Sequence, residues 1–594
     1  SVQGPPSNHY CTMTSSSSAE RKWWKEAVVY QIYPASFLDS NGDGLGDLNG
    51  IISKLDYIKG LGATAIWLSP IFKSPQKDMG YDVSDYRSIH APYGSLEDAE
   101  QLIKEMHHRD IKLLLDLVVN HTSDQHAWFQ ESRQSKTNPK SDWYIWRDAK
   151  IGPDGNAQEP NNWRSIFGGS AWHWCKIRQQ YYLALFLSEQ PDLNWDNAGM
   201  RKATHEDMRF WLDRGVDGFR IDSMNLMSKH PDLPDAAIVD PQERYQPGDA
   251  WFASQPNMHV YLQEMRREVF DHYDVMTVGE LGFTKDADSV RAFVARDRRE
   301  LDMVFTGDIV DMDFGAAGKY ARRDFHPSTM RDITDKWQTA MPRFDGWNSV
   351  YLENHDSGRS VSRYASDRPE HRANSAKLLA TYLLSLGGTP FLLAGEEIGM
   401  ANLGPEYGID AYIDVEGRNH YRSVLEARGG DDSSMGDVLR EMQLKARDHG
   451  RLPMQWSAEA NAGFTSSDAR PWMTVNKDHF DWNVAAQLDD KDSVYAYYKS
   501  MLAIRKEYME TLVYGEFEML PVTRTGEFGI GYERKGHGKA QEHMVVFLNL
   551  SEAKLEVPSE EYQGWSVVIG NNSKVDAAAH MITLNAYGAI VLKK

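Results

Sequence analysis

Three carboxylic acids each close a short apolar run: Asp222 ends VDGFRID, Glu280 ends VMTVGE and Asp356 ends SVYLENHD. Runs of that length read as buried strands. If the strands are parallel, their carboxyl ends open into the mouth where α/β barrels hold their chemistry. Two carboxyl groups facing one acetal carbon are the minimum equipment for breaking a glycosidic bond, and a separation of about 5 Å makes the outcome retaining. Residues two apart in a strand share a face, so Arg220 and Asp222 point the same way. The guanidinium is expected to lower the Asp222 pKa and keep a nucleophile ionised. Glu280 has no cation in its own motif, so its pKa should rise toward that of a general acid. Asp222 is therefore expected to attack the anomeric carbon, while Glu280 protonates the leaving oxygen and later activates water. Asp356, the third acid, would bind sugar hydroxyls and stabilise positive charge on the ring. One acid at a strand end reads as a cap for the next helix; three, with Arg220, His121 and His355 beside them, do not.

These acids need a scaffold, and the chain supplies one. Apolar runs at 27–34, 64–70, 111–118, 216–221, 275–279, 301–305, 347–352 and 389–394 alternate with helical spacing at 52–60, 95–109, 200–214 and 367–386. Eight such alternations predict an α/β fold, a (β/α)8 TIM barrel with a parallel sheet. Strands that are apolar throughout agree with burial on both faces. Residues 122–189 break the pattern and read as an irregular inserted domain after strand 3. Residues 510–594 carry short alternating strands and read as a C-terminal antiparallel β-sandwich domain. The barrel then spans 23–121 and 190–509, behind a disordered tail at 1–22.

Composition narrows the partners. A formal charge of −21 argues against nucleic acid and anionic membranes, which both demand basic patches. A neutral small molecule fits better, and 18 Trp with 28 Tyr offer flat faces that suit sugar rings. Two cysteines, Cys11 and Cys175, in 594 residues make no disulfide framework, and no secretory apolar run opens the chain; a cytoplasmic monomer or homodimer is expected. The uncharged stretch Leu378–Gly395 is broken by Gly387, Gly388 and Pro390, so it predicts helix, turn and strand rather than a membrane span.

DLVVNH (116–121), GFRID (218–222), VGE (278–280) and ENHD (353–356) together resemble the four signature regions of the α-amylase family of glycoside hydrolases, in the family order. Further phrases, among them KWWKEAVVYQIYPASF, SPQKDMGYDVSDY, QPDLNW and RDHGRLPMQW, resemble its fungal maltases, isomaltases and oligo-1,6-glucosidases over residues 22–594. The resemblance implies retaining catalysis with Asp222 as nucleophile, Glu280 as acid/base and Asp356 as transition-state stabiliser. It implies that His121 and His355 hold glucose hydroxyls, that Arg220 supports the nucleophile, and that Tyr81 stacks on the sugar. It implies that Asp82 pairs with Arg447 to close the pocket floor, which makes the enzyme exo-acting on small α-glucosides. Phe167, Phe186 and Gln190 match pocket-lining positions.

DSNGDGLGD (39–47) spaces oxygen side chains at Asp39, Asn41, Asp43 and Asp47, like the first part of a calcium loop. Gly50 stands where an EF-hand needs glutamate, so the alternative is a polar turn. The resemblance implies structural Ca2+, with the Leu45 carbonyl as a further ligand. Family members with valine after the nucleophile tend toward α-1,6 linkages. Ser223 there implies maltose-type or sucrose-type substrates over isomaltose. Transglucosylation or sucrose isomerisation is the runner-up, although GKYARRD (318–324) is not the Arg-rich isomerase stretch. A non-catalytic transporter heavy-chain scaffold is remote, because the acids are complete and no membrane helix is expected.

Overall fold

The computed structural model describes residues 20–152, 155–537 and 542–594. Eight parallel strands make one sheet: β1 (Val29–Ile32), β2 (Ala65–Leu68), β3 (Lys112–Val118), β4 (Gly218–Asp222), β5 (Met276–Leu281), β6 (Met303–Thr306), β7 (Ser349–Val350) and β8 (Thr389–Leu393). Their spatial order is β6-β5-β4-β3-β2-β1-β8-β7, the order of a barrel wound in sequence. Each overlaps the apolar run that predicts it. The sheet almost closes. β7 pairs with β8 through two residues, and side chains bridge the β6–β7 seam instead of a ladder. Ser349 Oγ donates to Val304 O at 2.7 Å and the Tyr351 hydroxyl to Thr306 O at 2.8 Å.

The strands are apolar because both faces are covered. Every residue of β1, β2, β4 and β8 is buried. Between β7 and β8 the helix Pro369–Ser385 ends just before Gly387 and Gly388. Gly388 has φ +123°, and a Cβ there would lie 2.5 Å from Asn348 O. The uncharged stretch 378–395 is thus helix, tight turn and strand. Among the described residues no helix is long and apolar enough to cross a membrane.

Within 122–189, strands Trp146–Arg147, Trp172–Cys175 and Gln180–Leu183 form a small antiparallel sheet. Its core of Ile145, Trp163, Trp172, Leu183 and Leu185 is completed by Leu226, Leu233 and Phe252 from the segment after β4. The insertion is therefore packed against the same segment that follows Asp222. Cys175 is buried there; Cys11 and the first 19 residues of the expected tail lie outside the described residues.

Residues 516–593 form a six-stranded antiparallel sheet. The long strand Met581–Lys593 pairs with Leu555–Pro558 at its start and with His543–Asn549 at its end. Bulges in its partner at Val567/Ile569 and Asn571/Ser573 bend the sheet, as bulges do. Val545, Phe547, Ile582 and Leu592 face an enclosed core, while alternate residues Met544, Val546 and Val591 join the core of the barrel.

Candidate active site

The carboxyl ends of β3, β4 and β5 converge on one guanidinium. Arg220, fully buried on β4, donates from NH1 to Asp116 Oδ1 at 2.9 Å and to Asp222 Oδ1 at 2.8 Å. Its NH2 lies 2.8 Å from Glu280 Oε2. Strand register brings this about: Arg220 is opposite Asp116 on β3 and Val278 on β5, so Glu280 arrives two residues further along on the same face. A Cβ at Gly279 would lie 2.6 Å from Leu301 and 2.8 Å from Met224; glycine lets the turn after β4 close over β5.

Three acids share that one cation, so they do not all ionise freely. Burial pushes Asp222 up to about 6 against the opposing pull of Arg220. This reverses the expectation from sequence: Arg220 is where it should be, but desolvation and the neighbouring acids outweigh it. Burial likewise pushes Glu280 up to about 7, with Asp222 and Asp356 adding to it and Arg220 opposing. This rise is the one expected from sequence, and it holds even though a cation reaches Glu280 from the adjacent strand. The Glu280 and Asp222 carboxyl groups lie against one another, and the Glu280 contact opposes the rise at Asp222. Ser223 completes the arrangement. It holds left-handed backbone (φ 44°, ψ 36°), and its N–H donates to Glu280 Oε2 at 3.0 Å. Backbone strain of this kind clusters at functional sites.

Asp356 sits in the opposite electrostatic setting. Burial would raise it, but His355, Arg447 and Arg451 hold its carboxyl well below the usual carboxylate range. Arg451 NH2 is 2.9 Å and Arg447 NH1 3.5 Å from Asp356 Oδ1. His355 is pushed down to about 3 by burial and stays neutral. The Gln31 amide donates to its Nδ1 at 2.8 Å, which leaves the proton on Nε2. That nitrogen faces the Tyr81 hydroxyl at 2.5 Å and Asp356 at 3.2 Å. Tyr81 in turn donates to Asp116 Oδ2 at 2.9 Å. A chain of fixed polarity thus links the two acid clusters.

The pocket between them has a volume of about 200 Å³, roughly the space of one sugar ring. Asp222, Ser223, Glu280, Asp356, Tyr81, His121, Phe167, Phe186 and Arg447 line it. Arg220, His355 and Gln190 stand enclosed behind the wall. His121 Nε2 reaches Tyr81 O at 3.0 Å, and Gln190 donates to Asp78 Oδ2 at 3.1 Å. The Phe167 and Phe186 rings meet edge to face at 5.6 Å, with Arg447 over Phe167 at 5.3 Å.

One pairing is corrected. Arg447 does not bond Asp82; it donates to Asp78 at 3.0 Å and to Asp414 at 2.8 Å. Asp82 is buried away from the cavity and accepts from Ser74 Oγ at 2.9 Å and Lys77 N at 2.8 Å. It holds the turn that presents Asp78. Further residues were not singled out from the sequence, among them Asp78, Asp116, Lys319, Asp414, Glu416 and Arg451. Asp116 had a visible signal, a lone acid between Leu115 and Leu117 in an apolar strand, since a buried charge requires a partner. Lys319 reaches Glu416 at 2.8 Å and Asp356 O at 3.0 Å across the rim.

In the loop 39–47, Asp39 accepts from Asn41 N, Gly42 N and Gly44 N, Asn41 from Asp43 N, and Asp43 from Leu45 N. Successive turns thus use the loop's oxygen side chains as acceptors for backbone N–H, and among the described residues no three acids gather closely enough to hold a metal ion by themselves. Asp47 caps the next helix through Gly50 N at 2.7 Å.

The family described as the alpha amylase catalytic domain matches residues 31–515. The chain is 42% identical to an alpha-glucosidase of Schizosaccharomyces pombe, covering 97% of this chain and 99% of that one. It is 44% identical to an oligo-1,6-glucosidase of Bacillus cereus, covering 97% and 100%. Among solved structures, the isomaltulose synthase of Protaminobacter rubrum superposes with a TM-score of 0.89 at 40% identity, covering 97% and 99%.

Proposed function

This chain belongs to the alpha-amylase family of glycoside hydrolases, and from that premise we propose an exo-acting, retaining α-glucosidase. The observation that carries the reading is one guanidinium gripping both Asp222 and Glu280 in one cleft. The Glu280 proton goes to a glycosidic oxygen inserted between the two acids. As that oxygen departs, Asp222 Oδ bonds to the anomeric carbon. Water then attacks the glucosyl ester while Glu280 takes back a proton, and glucose leaves with its configuration kept. Asp356, held ionised, stabilises the oxocarbenium-like charge in both steps. The Asp78–Arg447 pair closes the floor, which limits the site to a non-reducing terminal glucose. His121, Tyr81 and the two phenylalanines shape that subsite. Proton NMR of the first-formed glucose tests the stereochemistry: α-glucose is expected, and β-glucose would end the reading.

Small, polar Ser223 beside Glu280 supports a preference for maltose-type and sucrose-type substrates over isomaltose. Relatives of both linkage names have nearly equal identity to the chain, so rates on maltose, sucrose and isomaltose must decide. Isomaltose turned over fastest would reverse the preference. The likeness to isomaltulose synthase favours a second reading, in which fructose rather than water takes the glucosyl group. Isomaltulose as the main product from sucrose would establish it. We also propose a structural Ca2+ held by Asp39, Asn41, Asp43, Asp47 and the Leu45 carbonyl, with no part in the chemistry. Chelation is then expected to lower the melting temperature and calcium to restore it; no response would leave a polar turn. A cytoplasmic enzyme, monomeric or homodimeric, fits two cysteines in 594 residues.

A further inference from the structure

Strand β1 gives the pocket no acid, yet it grips one of the histidines. Gln31 lies on β1 and Tyr33 just past its end. Residues two apart share a face, so both turn toward the barrel mouth. Both reach His355. The Tyr33 ring stacks on the imidazole at 6.0 Å and 23°, the Tyr81 ring at 5.3 Å and 3°, and the Trp67 ring meets it edge to face at 5.8 Å and 83°. All of these side chains are buried, so the plane of the imidazole is fixed. Gln31 Nε2 lies in that setting 2.8 Å from His355 Nδ1 and 3.5 Å from Ser69 Oγ.

Stacking fixes the plane but not which nitrogen holds the proton. Asp356 decides that. An ionised carboxylate only accepts, and Asp356 Oδ2 lies 3.2 Å from His355 Nε2. A bare lone pair at Nε2 would face a negative charge, so Nε2 carries the proton. A neutral imidazole then has an acceptor at Nδ1, and the atom that meets it must be a donor. The Gln31 amide supplies one; a carboxylate of the same shape does not. Donation therefore runs one way, from Gln31 through His355 to Asp356. The Tyr81 hydroxyl, 2.5 Å from the same Nε2, is left free to donate to Asp116.

We propose that Gln31 is a positioning residue for the reaction: its amide locks His355 in the Nε2–H form, so that Asp356 meets an N–H donor and keeps the charge that stabilises the sugar cation. The proposal rests on the α-glucosidase reading, in which Asp356 has that role. Neutron diffraction from deuterium-exchanged crystals of the unaltered enzyme tests the lock. Deuterium is expected on His355 Nε2, with the Gln31 nitrogen facing Nδ1. Deuterium on Nδ1, or the Gln31 oxygen turned to the ring, overturns the proposal. Two variants separate donor chemistry from packing. Gln31→Met removes the donor but imposes no acceptor, so kcat/KM on maltose stays within about tenfold, the scale of one lost hydrogen bond. Gln31→Glu keeps the shape but draws the proton to Nδ1. Its expected loss is at least about 100-fold, toward the scale of a misplaced histidine tautomer. Glutamate tolerated better than methionine overturns the role, because position 31 would then serve packing alone. The expected neutron map together with no release of glucose from maltose would instead overturn the reading beneath it.

Discussion

The pocket has two charged walls, and they are built to opposite ends. On one wall a single cation, Arg220, serves Asp116, Asp222 and Glu280, and burial raises all three acids. On the other, Arg447 and Arg451 surround Asp356 and Asp414, and burial loses: Asp356 is held low and Asp414 falls to about 2. Desolvation acts on both sides, so the difference lies in the count and placement of cations. The first wall can exchange protons near neutrality, while the second keeps its negative charge and serves as a fixed electrostatic frame.

The largest test of this contrast removes the nucleophile. Asp222→Asn is expected to lower kcat/KM by at least about 10⁴-fold, the scale for a group that forms the covalent intermediate. Glu280→Gln comes next, with a loss of about 10²- to 10⁴-fold on maltose. Much of that loss should vanish with α-glucosyl fluoride, which departs without a proton. Equal losses on both substrates would mean that Glu280 does not act as the acid.

The fixed wall is probed more gently. Asp78→Asn weakens a charged hydrogen bond to Arg447 and is expected to lower kcat/KM about tenfold to 100-fold. Asp82→Asn should cost less activity and act on the melting temperature, because Asp82 bonds only Ser74 and its own turn. The reverse ranking would restore the pairing first expected from sequence. The smallest perturbation is pH. Asp222 must be ionised and Glu280 protonated, so kcat/KM should fall below about 6 and above about 7. The two acids titrate as a pair, so the limbs belong to both. Asp356, held ionised, adds no limb in that window.

Much of this could be read from the chain. Eight mainly apolar runs place the strands, and acids at the carboxyl ends of three of them place the chemistry. Two-residue periodicity correctly puts Arg220 and Asp222 on one face. What it cannot convey is the neighbouring strand. Glu280 meets Arg220 only through β4–β5 register, so its cation was invisible within its own motif. Desolvation was equally hidden: the guanidinium was known, but not the three acids crowding it. Asp78 and Asp82 both lie in one loop, where no period distinguishes the acid facing the cavity from the acid holding the turn. Asp414 and Glu416 come from the long excursion after β8, whose path over the pocket depends on tertiary packing.

The central claim is covalent, and it can be seen directly. Incubation with 5-fluoro-α-glucosyl fluoride should accumulate a glucosyl-enzyme, and mass mapping should find the added sugar on the peptide containing Asp222 and on no other acid. A label on Asp356 or Glu280, or inactivation with no label at all, would contradict it.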